Sequence, residues 1–262
     1  MNVSNYIITH KKFDLPQVDA YVPVQVGNGK DLGWLRDNSG DNIAEKNANY
    51  CELTGIYWIW KNDKDSDVIG ISHYRRFFTE KKISRSKFKI LSKSSTEKIL
   101  ANYDIILPKK EIYKETVREQ YCIDSGFNKD LNLVRNILVK KHNDYVDAFD
   151  YIMKVGKIHQ FNMMICSKKI FNSYCEWLFS IFFELEQYIN LDEYNDYQKR
   201  IYGFLSERLL NVWVLKNDLK VKELRVINVG MPYRELIRLN LRRIKNRFIY
   251  LKNNGKETKA NY

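Results

Sequence analysis

In Val68-Ile69-Gly70-Ile71-Ser72-His73-Tyr74-Arg75-Arg76-Phe77-Phe78, a short apolar run of β character ends in one imidazole and two guanidiniums. A buried strand in an open α/β sheet delivers whatever follows its carboxyl end into the crevice where ligands bind. Arginine offers planar, permanently charged donor forks that suit phosphate oxygens. Histidine titrates near neutral pH and ligates metals. The types and spacing point to an anion site; the alternative is a hydrogen-bonded core histidine beside two arginines paired at the surface.

Two further groups could join such chemistry. Asn5–Thr9 reads as a first strand that ends in His10-Lys11-Lys12, again cations at a strand's carboxyl end. Thr9, His10 and Lys11 are therefore candidates for a phosphate or ribose, with a solvated turn as the alternative. Arg200, Gly203 and Glu207 are spaced three, four and seven apart, so they share one face of a predicted helix. Glycine there leaves room for a ligand beside a carboxylate; the competing reading pairs Glu207 with Arg200 or Arg208.

The elements that must hold these residues fit one large α/β domain in 262 residues, and 44% apolar residues suffice for a core. The net charge of +12 favours an anionic partner without choosing among nucleotide, nucleic acid and acidic membrane. Cys51, Cys122, Cys166 and Cys175 are scattered with no CxxC pair, which excludes a familiar zinc or disulfide framework. Met1–Phe13 has no signal-peptide apolar region, and Trp177–Phe183 is too short to span a bilayer. The expectation is a reduced, cytoplasmic chain without internal repeats.

Residues 13–40 carry four glycines and two prolines and read as a long loop; Gly27-Asn28-Gly29-Lys30 within it resembles a phosphate turn without a full motif. A helix is expected from about Asn42 to Lys61, with Asn42 as N-cap and Glu45 closing a capping box. Asp41 and Asn42 stand at its mouth as possible ribose or base readers. Asp63, Asp65 and Asp67 read as a solvated turn, because the Gly and distal Glu of a calcium loop are missing. The basic stretch 79–95 is a candidate lid. A short helix at 96–101, a strand at 104–107, helices over 115–155, a strand at 160–167 and helices at 168–188 and 196–216 follow. Strand 222–229 precedes a basic amphipathic helix, Arg234–Lys252, of the kind that lies on anionic membranes.

Five blocks together resemble a known family: GDNIAEKNANYCELTGIYWIWKN, IGISHYRRFF, YDIILPKK, FNMMICSKKIFNSYCEWLFSIFFELE and QKRIYGFLSERLLNVWV. They look like DUF4422, over about residues 5–230 and in family order. The resemblance implies a GT-A-like (Rossmann-like) α/β fold, a mixed central sheet flanked by helices, over residues 1–230, with 231–262 as the C-terminal basic helix and tail. It implies a glycosyltransferase of bacterial capsule, exopolysaccharide or O-antigen synthesis. The donor would be a nucleotide-diphosphate sugar, UDP-linked and in some relatives UDP-galactofuranose; the acceptor would be a lipid-linked or oligosaccharide glycan. The enzyme would sit peripherally at the inner face of the plasma membrane through residues 234–252, with no nucleic-acid partner.

Carried over residue by residue, the resemblance sets donor binding on Thr9, His10, Lys11, Asp41, Asn42, His73, Arg75 and Arg76. Asn162, in a strand resembling the acceptor wall, and Arg200 would face the acceptor. Glu207 would take the acceptor's proton, with Asp41 in reserve. The usual Asp-x-Asp metal motif is replaced by Ser72-His73-Tyr74-Arg75, and no terminal histidine occurs in VINVGMPYR. His73 as a ligand for Mn²⁺ or Mg²⁺ and metal-free catalysis both stay open. The rival classes are a basic nucleic-acid binder, which would lack the usual recognition motifs, and an inactive scaffold.

Overall fold

The computed structural model describes residues 1–82 and 88–254. Among them, nine strands form one mixed sheet: β1 (Val3–Thr9), β2 (Tyr21–Gln25), β3 (Leu35–Arg36), β4 (Val68–His73), β5 (Arg76–Lys82), β6 (Phe88–Ile90), β7 (Ile105–Pro108), β10 (Met164–Ser167) and β11 (Val221–Asn228). A small second ladder pairs β8 (Glu111–Ile112) with β9 (Lys157–Ile158). The large sheet runs β3-β2-β1-β4-β10-β7-β11-β5-β6. β1, β2, β3 and β4 are mutually parallel, and β10 enters antiparallel between β4 and β7.

Val68 to Ile71 lie in a strand covered on both faces, which is why they read as a continuous apolar run rather than an alternating one. One face packs under the helices α1 (Asn47–Tyr50), α2 (Leu53–Asn62), α4 (Val117–Asp124), α5 (Asn128–Lys141), α6 (Val146–Lys154), α7 (Lys168–Leu185) and α8 (Ile201–Lys216). The other carries a smaller cluster of Val3, Val68, Phe78, Leu91, Ile106, Met163 and Ile165 near α3 (Lys93–Leu100). Gly55 on α2 is needed for close approach, since a Cβ there would lie 2.8 Å from Ile8 and 2.9 Å from Val26. The C-terminal α9 (Tyr233–Asn254) leans on the second ladder through Arg243 and Glu111.

Some expectations are corrected. The stretch 13–40 is not all loop: it holds β2 and β3. Pro23 gives up one ladder donor, tolerated because β2 has only the two-residue β3 outside it. Gly27–Lys30 is a turn closed on itself, its carbonyls taken by Gln25 and Arg36. The helix expected over 42–61 is broken. Asn42 accepts from the Ala44 N–H (3.2 Å) in an Asx turn, so the proposed capping box with Glu45 does not form. The chain then breaks at Cys51 (φ 53°, ψ −126°) before α2 begins. The lid candidate falls partly on residues 83–87, outside those described; its flanks are strands β5 and β6.

In the aspartate turn Asp65 and Asp67 are exposed, as expected, but Asp63 is a buried clasp. Asp63 accepts from the Tyr6 hydroxyl (2.8 Å), the Ser66 hydroxyl (2.5 Å) and the Asp65 and Ser66 amides (2.9 and 3.0 Å), with Lys168 at 3.3 Å. It thus joins β1, its own turn and the start of α7. Burial alone would raise its pKa, but Ser66, Tyr6 and Lys168 outweigh burial and hold it below the ordinary 3.8. A depressed carboxylate stabilises the fold above its unfolded pKa, and that stability is lost as pH falls from about that value through the folded one. Asp63→Ala is expected to lower the unfolding free energy by roughly 1–3 kcal/mol in urea. Asp63→Asn should flatten the acid limb of the stability profile; an unchanged acid limb would deny the clasp.

Candidate active site

β1 and β4 are parallel and end side by side, at Thr9-His10 and at His73. After β4 the chain turns through Tyr74-Arg75 and leaves as β5, which departs to pair with β11. That divergence opens a cavity of about 730 Å³ at the carboxyl ends of the parallel strands, the expected place for a ligand in such a sheet. His10, His73, Arg75 and Arg76 line one side. Arg200, Gly203 and Glu207 of the α8 region line the other, with Glu52, Gln160 and Phe161 between them.

The walls meet at Phe161 and Asn162. Both lie in the left-handed region, at φ 78° and 51°. Asparagine tolerates that conformation; phenylalanine reaches it only when its surroundings hold it there. Here they do: the Phe161 N–H donates to Glu207 Oε1 (2.9 Å), and its carbonyl accepts from His73 Nε2 at 2.5 Å. The Asn162 amide donates to Glu52 Oε1 (2.9 Å) and to the Gly203 carbonyl (3.1 Å). The Arg76 guanidinium lies 4.3 Å over the Phe161 ring. One turn therefore fixes the end of β4, the start of α2 and the face of α8 relative to each other.

The electrostatics follow from this packing. Burial pushes the Glu207 carboxyl above its ordinary value, Arg208 and Arg76 oppose that, and Glu52 adds to it. Arg208, only 2% exposed, sits 3.2 Å from Glu207 Oε2 and donates to the Phe204 carbonyl and to Gln120. Burial lowers the His73 pKa, so its imidazole is neutral with the proton on Nε2 toward Phe161. Burial also lowers Arg76, countered by Glu207 and Glu52; its Nε is buried without a hydrogen-bond partner among the described residues. Arg75 is exposed and stacks 4.8 Å from the Tyr74 ring. Beside it, the lining residues His10 and Tyr74 begin a run of ring contacts at 5.2–6.3 Å that continues through Phe13 to Trp34 outside the lining.

Of the residues singled out from sequence, His10, His73, Arg75, Arg76, Arg200 and Glu207 converge here. Thr9 also borders the cavity, but its hydroxyl is spent on the Lys11 backbone. Three expectations of position are corrected. Asp41 bonds the Tyr57 hydroxyl (3.0 Å) and Asn42 bonds its own turn, so neither borders the cavity, because the helix they were to open is broken. Lys11 lies over Tyr74 (5.3 Å) and is not in the lining. Asn162 is buried behind the wall and positions Glu52 and Gly203 instead of facing a ligand. A Cβ on Gly203 would meet Cys51 Cβ and Sγ at 3.5 Å, an ordinary contact, so packing does not demand glycine at this lining position.

Sequence reading missed Glu52, Gln120 and Phe161 as lining residues; the competing pairing of Glu207 with Arg208 does form, at 3.2 Å. His73, the candidate metal ligand, commits Nε2 to the Phe161 carbonyl. Among the described residues, no three His, Cys, Asp or Glu side chains are grouped to hold a metal. No helix among them is long and apolar enough to cross a membrane.

With that geometry in view, three comparisons bear on the chain. Residues 5–218 match a family described as a domain of unknown function, DUF4422. The apo structure of the WbbM bifunctional glycosyltransferase is similar at 31% identity and a TM-score of 0.81, over 88% of this chain and 46% of that one. The chain thus spans less than half the length of that protein. The mannosyltransferase Ktr4p from S. cerevisiae matches over 80% of this chain and 62% of that one, at 10% identity and a TM-score of 0.33. No curated protein matches.

The left-handed turn can be tested by stability alone. Asn162→Gly and Asn162→Ala both remove the amide bonds, but only Ala must strain to hold φ 51°. Asn162→Ala is expected to be the less stable by about 1 kcal/mol in chemical denaturation; equal stability would mean the turn relaxes freely.

Proposed function

The chain belongs to the DUF4422 family, and from that premise we propose that it is a GT-A-like glycosyltransferase that moves a hexosyl group from a nucleotide-diphosphate sugar to a glycan hydroxyl. The observation that carries this reading is the cavity in which Arg75 and Arg76 face a half-buried carboxylate, Glu207. Breaking the donor's glycosidic bond builds charge on the departing diphosphate. Fixed guanidiniums there stabilise the transition state more than the ground state. The partnerless Nε of Arg76 is a donor awaiting an acceptor. The rings of His10 and Tyr74 in the cavity wall offer a stacking surface for a base, and a uridine diphosphate is our choice of nucleotide.

Glu207, with its raised pKa, is suited to take the acceptor's proton as its oxygen attacks the anomeric carbon. Glu52 is the second carboxylate of the cavity and replaces Asp41 as the reserve. His73, neutral and bonded to Phe161, orients the wall. The diphosphate is met by arginine in this reading, and no step runs through Mn²⁺ or Mg²⁺.

The acceptor reading is a lipid-linked glycan of a surface polysaccharide, met at the inner face of the plasma membrane. α9 supports it: Leu241, Ile244 and Phe248 are 54–71% exposed, and Arg238, Arg242, Lys245 and Arg247 surround them. An anionic lipid surface complements that mixture.

Calorimetry and UDP release from a panel of UDP-sugars, UDP-galactofuranose included, test the proposal. Glu207→Gln should lower turnover about 10²–10⁴-fold with UDP affinity nearly intact. Arg75→Ala should weaken UDP binding by roughly tenfold or more, the cost of one charge-assisted contact. Because the Glu207 pKa is raised, wild-type turnover should fall as pH drops through a value above the ordinary 4.5. UDP-independent behaviour of every variant would reject the assignment.

A further inference from the structure

A second cavity, of about 890 Å³, lies between the Pro108–Ile112 segment, β11 and α9. It shares Gln160 and Phe161 with the first. The two are separated by the same residue whose N–H is bonded to Glu207. A molecule seated in the second cavity and reaching past Phe161 would bring a hydroxyl to the carboxylate that the reaction needs.

Its wall has a distinct chemistry. Lys109, Lys110, Arg225, Arg243 and Arg247 line it, against one carboxylate, Glu111. Arg243 grips Glu111 through Nε and Nη2, each at 2.8 Å from Oε2, so that pair is neutralised. Four cations are left; among the described residues none of them forms an ion pair with a carboxylate, although Glu223 acts on Lys110 from nearby. Ile90, Ile112, Val226 and Leu236 supply an apolar strip beside them. Concentrated positive charge next to apolar wall suits a ligand that joins a multiply charged anion to a greasy segment.

We propose that this second cavity is the acceptor subsite and that it holds a diphosphate ester: the anion between Lys109, Arg225 and Arg247, the organic group along Ile112 and Leu236. The assignment rests on the transferase reading of the first cavity for its purpose, but not for its binding. α9 closes one side of the cavity, so the helix is part of a binding site and not only a surface anchor.

Titration calorimetry of the full chain with inorganic pyrophosphate, then with decyl diphosphate, tests it in the presence and absence of saturating UDP. A UDP-insensitive site is expected that is weakened at least about tenfold in Arg225→Ala/Arg247→Ala and unchanged in Arg75→Ala. Decyl diphosphate should bind this site at least about tenfold more tightly than pyrophosphate, because its chain gains the apolar strip. All diphosphate binding being displaced by UDP, or surviving the double substitution, would overturn the proposal. Equal affinity for the two titrants would overturn the ester and leave only a free-anion site. Loss of UDP binding with the second site intact would sink the transferase reading alone. Circular dichroism of the double variant separates a lost site from a lost fold; these side chains are at the surface of β11 and α9, so a native spectrum is expected.

Discussion

The structure depends on a peptide unit held where most residues resist going. Phe161 and Asn162 turn left-handed just before β10 enters the sheet between β4 and β7, and each such residue costs on the order of 1–3 kcal/mol. Four hydrogen bonds and a guanidinium stacked on the Phe161 ring offset that cost. The groups that offset it are the ones with chemical potential: His73, Glu207, Glu52 and Arg76. Strain and site are therefore the same piece of chain. The turn also forms the partition between two cavities, so its geometry sets what can pass from one to the other.

Charge in the first cavity is arranged in depth. Arg208 is buried and its two terminal nitrogens donate to Phe204, Glu207 and Gln120, which holds the Glu207 carboxylate from behind; its Nε has no partner among the described residues. Arg76 is partly buried over Phe161, and Arg75 stands exposed at the mouth. A buried arginine paired with a half-buried carboxylate adds little stability, since desolvation cancels most of the attraction. Its evident effect is to keep one carboxylate oxygen occupied while the other meets the Phe161 amide. Burial then lifts the pKa of that carboxyl toward the range in which it can exchange a proton. The graded exposure of the arginines lets an anion meet Arg75 first and Arg76 last.

Much of this was legible in sequence because it is carried by local pattern. The run from Val68 to His73 announces a buried strand with polar groups at its carboxyl end, and the three-four spacing of Arg200, Gly203 and Glu207 announces a shared face. What was not legible depends on backbone conformations that no residue type declares. Nothing in Tyr50-Cys51-Glu52 marks a break, since its aromatic stripe continues unchanged through Leu53 and Tyr57; only tertiary packing bends Cys51 to φ 53° and swings Glu52 inward. Asp41 and Asn42 were misplaced by the same break. β2 was hidden by Pro23 and by the glycines around it. The pairing of Arg208 with its neighbour Glu207 was legible as an alternative, but its burial was not, because that depends on Gln120, which a distant segment brings to it.

The most direct test of the central claim is a crystal structure of the chain with UDP. The account predicts pyrophosphate oxygens within hydrogen-bond distance, about 2.7–3.2 Å, of Arg75 and Arg76, across the cavity from Glu207, with the Phe161–Asn162 turn unchanged. UDP bound on any other surface, with the cavity between β4 and α8 left vacant, would contradict it.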